Sequence, residues 1–255
     1  MSTHPYFDLP RPRVLAHRGL TAPGDTHAEN SVAAVAAALS VGAAYVESDC
    51  HVTRDGEVVL FHDDSVERVT GDPRLVVDLT LRELSSLMED HGGLLTLADA
   101  LDGFPETHWN LDVKAAAAAE PLGRLVAPAA ERVLVTSFSD RRRLAALEAS
   151  TRAGAAVRPA TSAGRTAMVR ALAAALTGSK AIMRRTLRGI DALQIPERQG
   201  ILPVLSRRLV RLAHAADVEV HVWTINDVPR MRRLVDMGVD GIVTDRADLA
   251  LEIWH

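Results

Sequence analysis

The chain has 255 residues, 47% of them hydrophobic and 24% charged, with a mean hydropathy of +0.05 and a formal net charge of −4. This length suits one α/β barrel or two smaller domains with a sizeable core, and the cations are scattered among acids, which gives no nucleic-acid footprint. The lone cysteine, Cys50, excludes an intrachain disulfide. With no basic, apolar leader at the start and no run long enough to span a bilayer, a cytoplasmic protein without a transmembrane segment is the default expectation.

Short β-type runs alternate with alanine-rich stretches of helical pattern. A run at 14–16 precedes a helix predicted over 31–39, with caps in Glu29-Asn30-Ser31 and a closing glycine at Gly42. The second strand is predicted at 45–49. The next run, 58–61, follows the turn Asp55-Gly56, which is too short to hold a crossover helix. It must return antiparallel, as a hairpin on the rim that carries His62 back over the end of the second strand. Residues 65–99 read as a small excursion with a helix over 81–88 capped by Thr80, and the insertion as a whole is placed at about 65–110. Runs then follow at 111–113, 133–135, 155–157, 193–195, 220–223 and 241–243. Helices are predicted between them over 122–130, 140–149, 164–176, 206–216 and 228–237, the last closed by Gly238. Setting the antiparallel run aside leaves eight, the number that closes a parallel barrel. The predicted fold is α/β, a TIM (β/α)8 barrel with a small insertion after the second strand, forming a single domain over 1–255.

Glu47-Ser48-Asp49 is the most informative segment. Residues i and i+2 of a strand share a face, so two carboxylates project together from an otherwise apolar run. Buried acids side by side call for a proton, a cationic side chain or a divalent metal. In parallel barrels, sites collect at the C-terminal strand ends, and the polar residues gather there. His17 and Arg18 follow the first strand, Glu47 and Asp49 end the second, and Asp112 and Lys114 share a face at the end of the third. Ser137 follows the fourth, Trp223, Thr224 and Asn226 the seventh, and Thr244 and Asp245 the last. Acids for a cation, two imidazoles for proton transfer, and Arg and Lys for an anion suit phosphoester chemistry.

In order along the chain stand His17-Arg18-Gly19, Glu29-Asn30-Ser31, Glu47-Ser48-Asp49, His62-Asp63, Asp112-Val113-Lys114, Trp223-Thr224-Ile225-Asn226 and Asp240-Gly241-Ile242-Val243-Thr244-Asp245. In this series the chain resembles the glycerophosphodiester phosphodiesterase family over nearly its whole length. The resemblance implies a TIM barrel with a small insertion, a metal held by Glu47, Asp49 and Asp112, and His17 and His62 as the acid/base pair. It further implies that Arg18 and Lys114 bind the phosphate and that Trp223 lines the pocket over the glycerol or alcohol group. Two positions depart from the family pattern: Asp112 stands where Glu is usual, shortening the reach by about one methylene, and Ser31 replaces Thr.

The expected activity is metal-dependent hydrolysis of glycerophosphodiesters to sn-glycerol 3-phosphate and an alcohol. The glycerol 2-hydroxyl would attack phosphorus, and water would open the cyclic phosphate. All-oxygen ligation favours Mg²⁺ or Ca²⁺. The alternatives are a phospholipase D-like or lyase barrel that stops at the cyclic phosphate, and a non-catalytic barrel that binds phosphodiesters. Other residues carry plainer readings. Glu29-Asn30 serves as well for a helix cap as for a site, His51, His91, His108, His214 and His221 are structural or surface residues, and Cys50 is a packed small hydrophobe. Lys180, Arg184, Arg185 and Arg188 form a solvated helix face, with contact to an anionic substrate or a membrane surface as the second reading.

Overall fold

A computed structural model describes residues 4–21 and 24–254. Residues 1–3, which entered the reading of the amino terminus, lie outside the described residues. The strands in chain order are β1 (Arg13–His17), β2 (Tyr45–Val52), β3 (Val58–Leu60), β4 (His108–Val113), β5 (Val133–Thr136), β6 (Ala160–Thr161), β7 (Ala192–Ile195), β8 (Arg198–Gln199), β9 (Leu202–Pro203), β10 (Glu219–Val222) and β11 (Gly241–Thr244). Eight of them run parallel in the order β6-β5-β4-β2-β1-β11-β10-β7. The two ends of this series meet through a parallel bridge between Ser162 and Ala192, where the Ala163 amide donates to the Ala192 carbonyl at 3.0 Å. That contact closes the barrel. β3 pairs antiparallel with the end of β2, Cys50 opposite Leu60 and Val52 opposite Val58, with Gly56 at φ +93° supplying the left-handed turn residue. β8 and β9 form a small hairpin beyond β7.

Several helices begin where the sequence places a cap. Ser31, Ser206 and Asp227 each accept a hydrogen bond from an amide in the first turn, and Thr80 with Glu83 forms a full capping box at the start of Leu81–Met88. The strand predicted at 155–157 lies instead at Ala160–Thr161. The helix Asp140–Arg152 runs on into a left-handed Gly154, and the Ala155 amide turns back to the Ser150 carbonyl at 3.2 Å. A residue that closes a helix this way has no amide left for a ladder, so the strand starts only after Pro159. Alternation of short apolar residues alone could not register this.

Barrel-facing parity decides what each strand contributes. Along β1, residues 13, 15 and 17 share a face. Arg13 at the lower end forms a double hydrogen bond with Glu219, both distances 2.9 Å, and also reaches the Phe7 carbonyl at 2.6 Å. Leu15 packs above it with Tyr45, Leu134 and Val243. His17 emerges at the upper end, into the mouth. The bottom is therefore plugged by a buried ion pair and aromatic side chains of the segment Pro5–Phe7. Arg13→Ala takes both guanidinium hydrogen bonds from Glu219 and leaves it, among the described residues, only the His221 ring at 3.0 Å, so we expect a loss of about 3–5 kcal/mol of stability, measured by chemical denaturation. The second cluster of buried apolar residues, Val59, Phe61, Val66, Val76, Leu79, Leu84 and Met88, holds the segment between β3 and β4 against the rim. Leu97, Ala100 and Leu101 of the helix Leu97–Gly103 join the outer core instead. Among the described residues no helix is long and apolar enough to cross a membrane.

Candidate active site

A cleft of about 270 Å³ opens at the C-terminal mouth of the barrel. His17, Arg18, Glu47, Asp49, His62, Asp112, Lys114 and Trp223, the eight residues to which the family resemblance gives a role, line it with Ser137 and Thr224, whereas Asn226, Thr244 and Asp245 stand behind it. Strand parity accounts for the acids: Glu47 and Asp49 lie on one face of β2, and β4 sets Asp112 directly beside Asp49 in register. The hairpin accounts for His62, two residues past the end of β3 and next to the buried Phe61. The His51 imidazole meets the His62 carbonyl at 3.2 Å and so braces that turn, which makes it structural as expected.

The two imidazoles are mounted alike. His17 Nδ1 donates to Asp245 Oδ1 at 2.5 Å, and His62 Nδ1 donates to Asp63 Oδ1 at 2.6 Å. A carboxylate on Nδ1 fixes ring orientation and tautomer and leaves Nε2 for the cleft. His17 Nε2 lies 3.8 Å from Glu47 Oε2. Burial disfavours the charged form of His17, but the Asp245 hydrogen bond and the Glu47 charge prevail, and its pKa is raised. Asp245 is itself gripped by Asn226, whose Nδ2 donates to it at 2.6 Å and whose Oδ1 accepts from the Asp245 amide at 2.9 Å.

The acids differ sharply in their surroundings. Lys114 Nζ bridges Asp49 and Asp112 at 2.8 Å from each, and Arg18 Nε stands 3.1 Å from Asp49. Burial pushes Asp49 up, yet Lys114 and Arg18 hold its pKa below the ordinary value. Burial wins at Asp112, whose pKa is raised despite Lys114. Glu47 has no such partner. It is 8% exposed, its Oε2 has no hydrogen-bond donor, and burial followed by repulsion from Asp49 drives its pKa to about 8. An orphaned buried carboxylate oxygen beside two aspartates is a donor set that fits a hard divalent cation. It is not a finished cage: among the described residues no group of three His, Cys, Asp or Glu side chains is gathered closely enough to hold a metal, and the Lys114 ammonium sits between the two aspartates.

The loop after β1 explains Glu29-Asn30. Arg18 and Asn30 both have φ of 60°, rare for residues with a side chain and costing about 1–3 kcal/mol each. Gly19, at φ +88°, allows the helix Val32–Ser40 to close in, since a Cβ there would lie 2.6 Å from the Ala34 carbonyl carbon. The Asn30 amide donates to the Arg18 carbonyl at 2.8 Å, and its side chain accepts from Ser48 Oγ at 2.6 Å and contacts Asp49 at 3.4 Å. Ser31 alone is the cap. Glu29 binds Arg18 at 2.8 Å and Arg68 at 2.6 Å, and Arg68 also holds Asp63 at 2.5 Å. One exposed arginine from the insertion thus ties the carboxylate behind His62 to the arginine beside Asp49.

Arg68 and Asp63 therefore support the site with no role read for them from sequence, Asp245 had been placed only at a strand end, and Glu29 and Asn30, read equally as a cap, belong to the surroundings of the site. Phe138 was missed outright; it is 58% exposed and stands edge-on to Trp223 with ring centroids 6.1 Å apart. Nothing in the sequence around Phe138 marks it. Cys50 is fully buried in the outer core, as its parity on β2 requires. We expect Arg68→Ala to lower kcat about 10–100-fold, as loss of a supporting partner commonly does, while thermal stability barely changes because the side chain is half exposed. Arg68→Lys, which cannot span both carboxylates, should not restore the rate.

A parallel barrel with paired imidazoles, clustered carboxylates and two cations at its mouth defines a TIM-barrel phosphoester enzyme. The sequence profile of the glycerophosphoryl diester phosphodiesterase family matches residues 17–249, and the chain belongs to that family. It is 39% identical over 242 residues, 94% of this chain and 89% of the relative, to the probable glycerophosphodiester phosphodiesterase 2 of Mycobacterium tuberculosis. Among solved structures, the glycerophosphodiester phosphodiesterase of Thermotoga maritima superposes with a TM-score of 0.72 at 23% identity, covering 94% of this chain and 97% of that one. An Oleispira antarctica phosphodiesterase in complex with the product sn-glycerol-3-phosphate superposes with a TM-score of 0.68 at 22% identity, covering 94% and 96%. These two share the fold, and the phosphoric diester hydrolase expected from the sequence is the enzyme class of the family.

Proposed function

We propose that the chain hydrolyses glycerophosphodiesters to sn-glycerol 3-phosphate and an alcohol, with His17 and His62 as the acid/base pair and Mg²⁺ or Ca²⁺ held by Glu47, Asp49 and Asp112. The observation that carries this reading is the matched mounting of the two imidazoles, each anchored through Nδ1 to a carboxylate, on a cleft that also contains Arg18 and Lys114. Anchoring of this kind suits groups that exchange protons, and a barrel that merely bound phosphodiesters would have no use for two. A divalent cation at the acids would neutralise charge on the phosphoryl oxygens and lower the pKa of a substrate hydroxyl.

The remaining work falls to side chains. Arg18 and Lys114 draw the phosphate into the cleft and bear the charge that develops on its oxygens. One histidine takes the proton of the glycerol 2-hydroxyl as it attacks phosphorus, and the other gives one to the departing alcohol. With the roles reversed, water then opens the cyclic phosphate. Trp223, with Phe138 against its edge, offers an apolar wall to the alcohol portion.

A panel of glycerophosphodiesters assayed for glycerol 3-phosphate release, with and without EDTA, tests the reading. Release that EDTA abolishes and Mg²⁺ or Ca²⁺ restores is the expected result; accumulation of a cyclic phosphate would identify the lyase, and no turnover of any substrate the binding-only barrel. Asp112 provides a finer test. Asp112→Ala should raise the cation concentration needed for half-maximal rate, and Asp112→Glu should keep much of the activity. If Asp112→Ala titrates like the parent, Asp112 is not a ligand.

A further inference from the structure

Between Glu148 and Asp191 the sequence contains no aspartate or glutamate, whereas Arg152, Arg158 and six further cations, Arg165, Arg170, Lys180, Arg184, Arg185 and Arg188, fall within it. The whole chain carries −4, so these eight cations leave −12 on the remainder. Overall composition conceals this separation. The six lie on the packed helices Arg165–Thr177 and Lys180–Thr186 and the turn that follows, and all are exposed. Arg152 and Arg158 are neutralised by Glu120 and Asp191, but among the described residues none of the six has an ion-pair partner within 4.0 Å. Arg184 instead donates to the Ala215 carbonyl at 2.6 Å, with Asp217 nearby. From the neighbouring helix Asp140–Arg152, Asp140 is committed to Arg143 and to the amides of Thr166 and Ala167, and Glu148 is 4.0 Å from Arg152.

The same helices expose apolar side chains. Val169 is 61% exposed, Leu176 79% and Ile182 45%, and Val169 and Leu176, seven residues apart, lie on one helix face. Beside them, a groove of about 590 Å³ separates the helices Asp140–Arg152 and Arg165–Thr177. Its walls include Leu144, Leu147 and Ile190 together with Arg143, Arg170 and Arg188, and also Asp140 and Glu148, the two acids already engaged by Arg143 and Arg152; the buried Arg143 has no hydrogen-bond partner at Nε.

We propose that this face docks on an anionic lipid surface, with the guanidinium and ammonium groups against lipid phosphates and Val169, Leu176 and Ile182 entering the headgroup boundary. A soluble polyanion would use the cations and leave the aliphatic residues without a role. An apolar protein partner would cover the aliphatic residues but give no reason for charge of one sign. A lipid surface uses both. This inference stands apart from the catalytic reading, since none of these side chains lines the cleft.

Flotation of the full chain with vesicles tests it. The parent should float with phosphatidylcholine vesicles that contain phosphatidylglycerol and stay behind with phosphatidylcholine alone. Lys180→Glu/Arg185→Glu/Arg188→Glu should weaken partitioning about a hundredfold or more, since each cation near such a surface contributes about a factor of five to ten. Val169→Ser/Leu176→Ser should weaken it by about tenfold or more through lost apolar burial, with thermal unfolding of both variants unchanged. Lys180→Gln/Arg185→Gln serves in place of the reversal if that variant unfolds. Equal flotation with both vesicle types, no flotation with either, or a charge variant that floats like the parent overturns the proposal. So does an unaffected Val169/Leu176 variant whose binding heparin competes away, which would mark a soluble-polyanion site.

Discussion

His17→Ala and His62→Ala should each lose about two to four orders of magnitude in kcat on glycerophosphocholine, the usual contribution of a positioned acid or base, while cation titrations of the two variants should resemble the parent's. Each imidazole hangs from its own carboxylate, Asp245 or Asp63, so removing one ring leaves the other's mounting intact. The informative arm uses a nitrophenyl ester of glycerol phosphate. Its leaving group departs without a proton, so it rescues the variant that lacks the general acid far more than the one that lacks the general base. Equal rescue of both, or of neither, would count against divided roles. The same comparison assigns acid and base, which the mounting alone leaves symmetric.

Glu47→Gln and Asp49→Asn should abolish cation-dependent turnover with the fold retained, but their metal-free proteins should behave differently. Glu47 has a folded pKa raised to about 8 by burial and by Asp49, above its ordinary value of 4.5. Between those values the folded state binds more protons than the unfolded one, so stability falls as pH rises through the window. In EDTA the parent should therefore weaken from about pH 5 to pH 8, and Glu47→Gln should not, ending above the parent at the alkaline end. Asp49 has the opposite sign: its folded pKa is lowered by Lys114 and Arg18 against the pull of burial. Its contribution is present above the ordinary aspartate value and lost as pH falls below it, so Asp49→Asn should lose stability at neutral pH. Thermal unfolding in EDTA across this range reads both. Full turnover in either variant, or a Glu47→Gln protein that weakens with pH as the parent does, would remove the carboxylate cluster from the cation site.

Strand ends and face parity are local properties, and they carried the core of the site. That Glu47 and Asp49 project together, that Asp112 and Lys114 share a face, and that His62 comes back over them on an antiparallel return all follow from a period of two and from a turn too short for a helix. The barrel and most of its helices were legible for the same reason, through caps and periodicity within a dozen residues. What lay outside reach were the partners. Asp245 meets His17 across 228 positions of sequence, and Arg68 meets Glu29 across 39. Each of these carboxylates has many arginines and histidines it could serve, and only closure of the barrel chooses among them. Lys114 could be read as a phosphate ligand, but its place between Asp49 and Asp112 required two strands in register. β6 shifted because helix closure took the Ala155 amide, a competition for one hydrogen bond that pattern alone does not record. Charge followed the same rule: 149–190 reads as helices with scattered arginines, and only packing shows that they and three aliphatic residues are left facing outward together. Local sequence specifies the direction of a side chain, whereas its partner is whatever the tertiary fold brings opposite it.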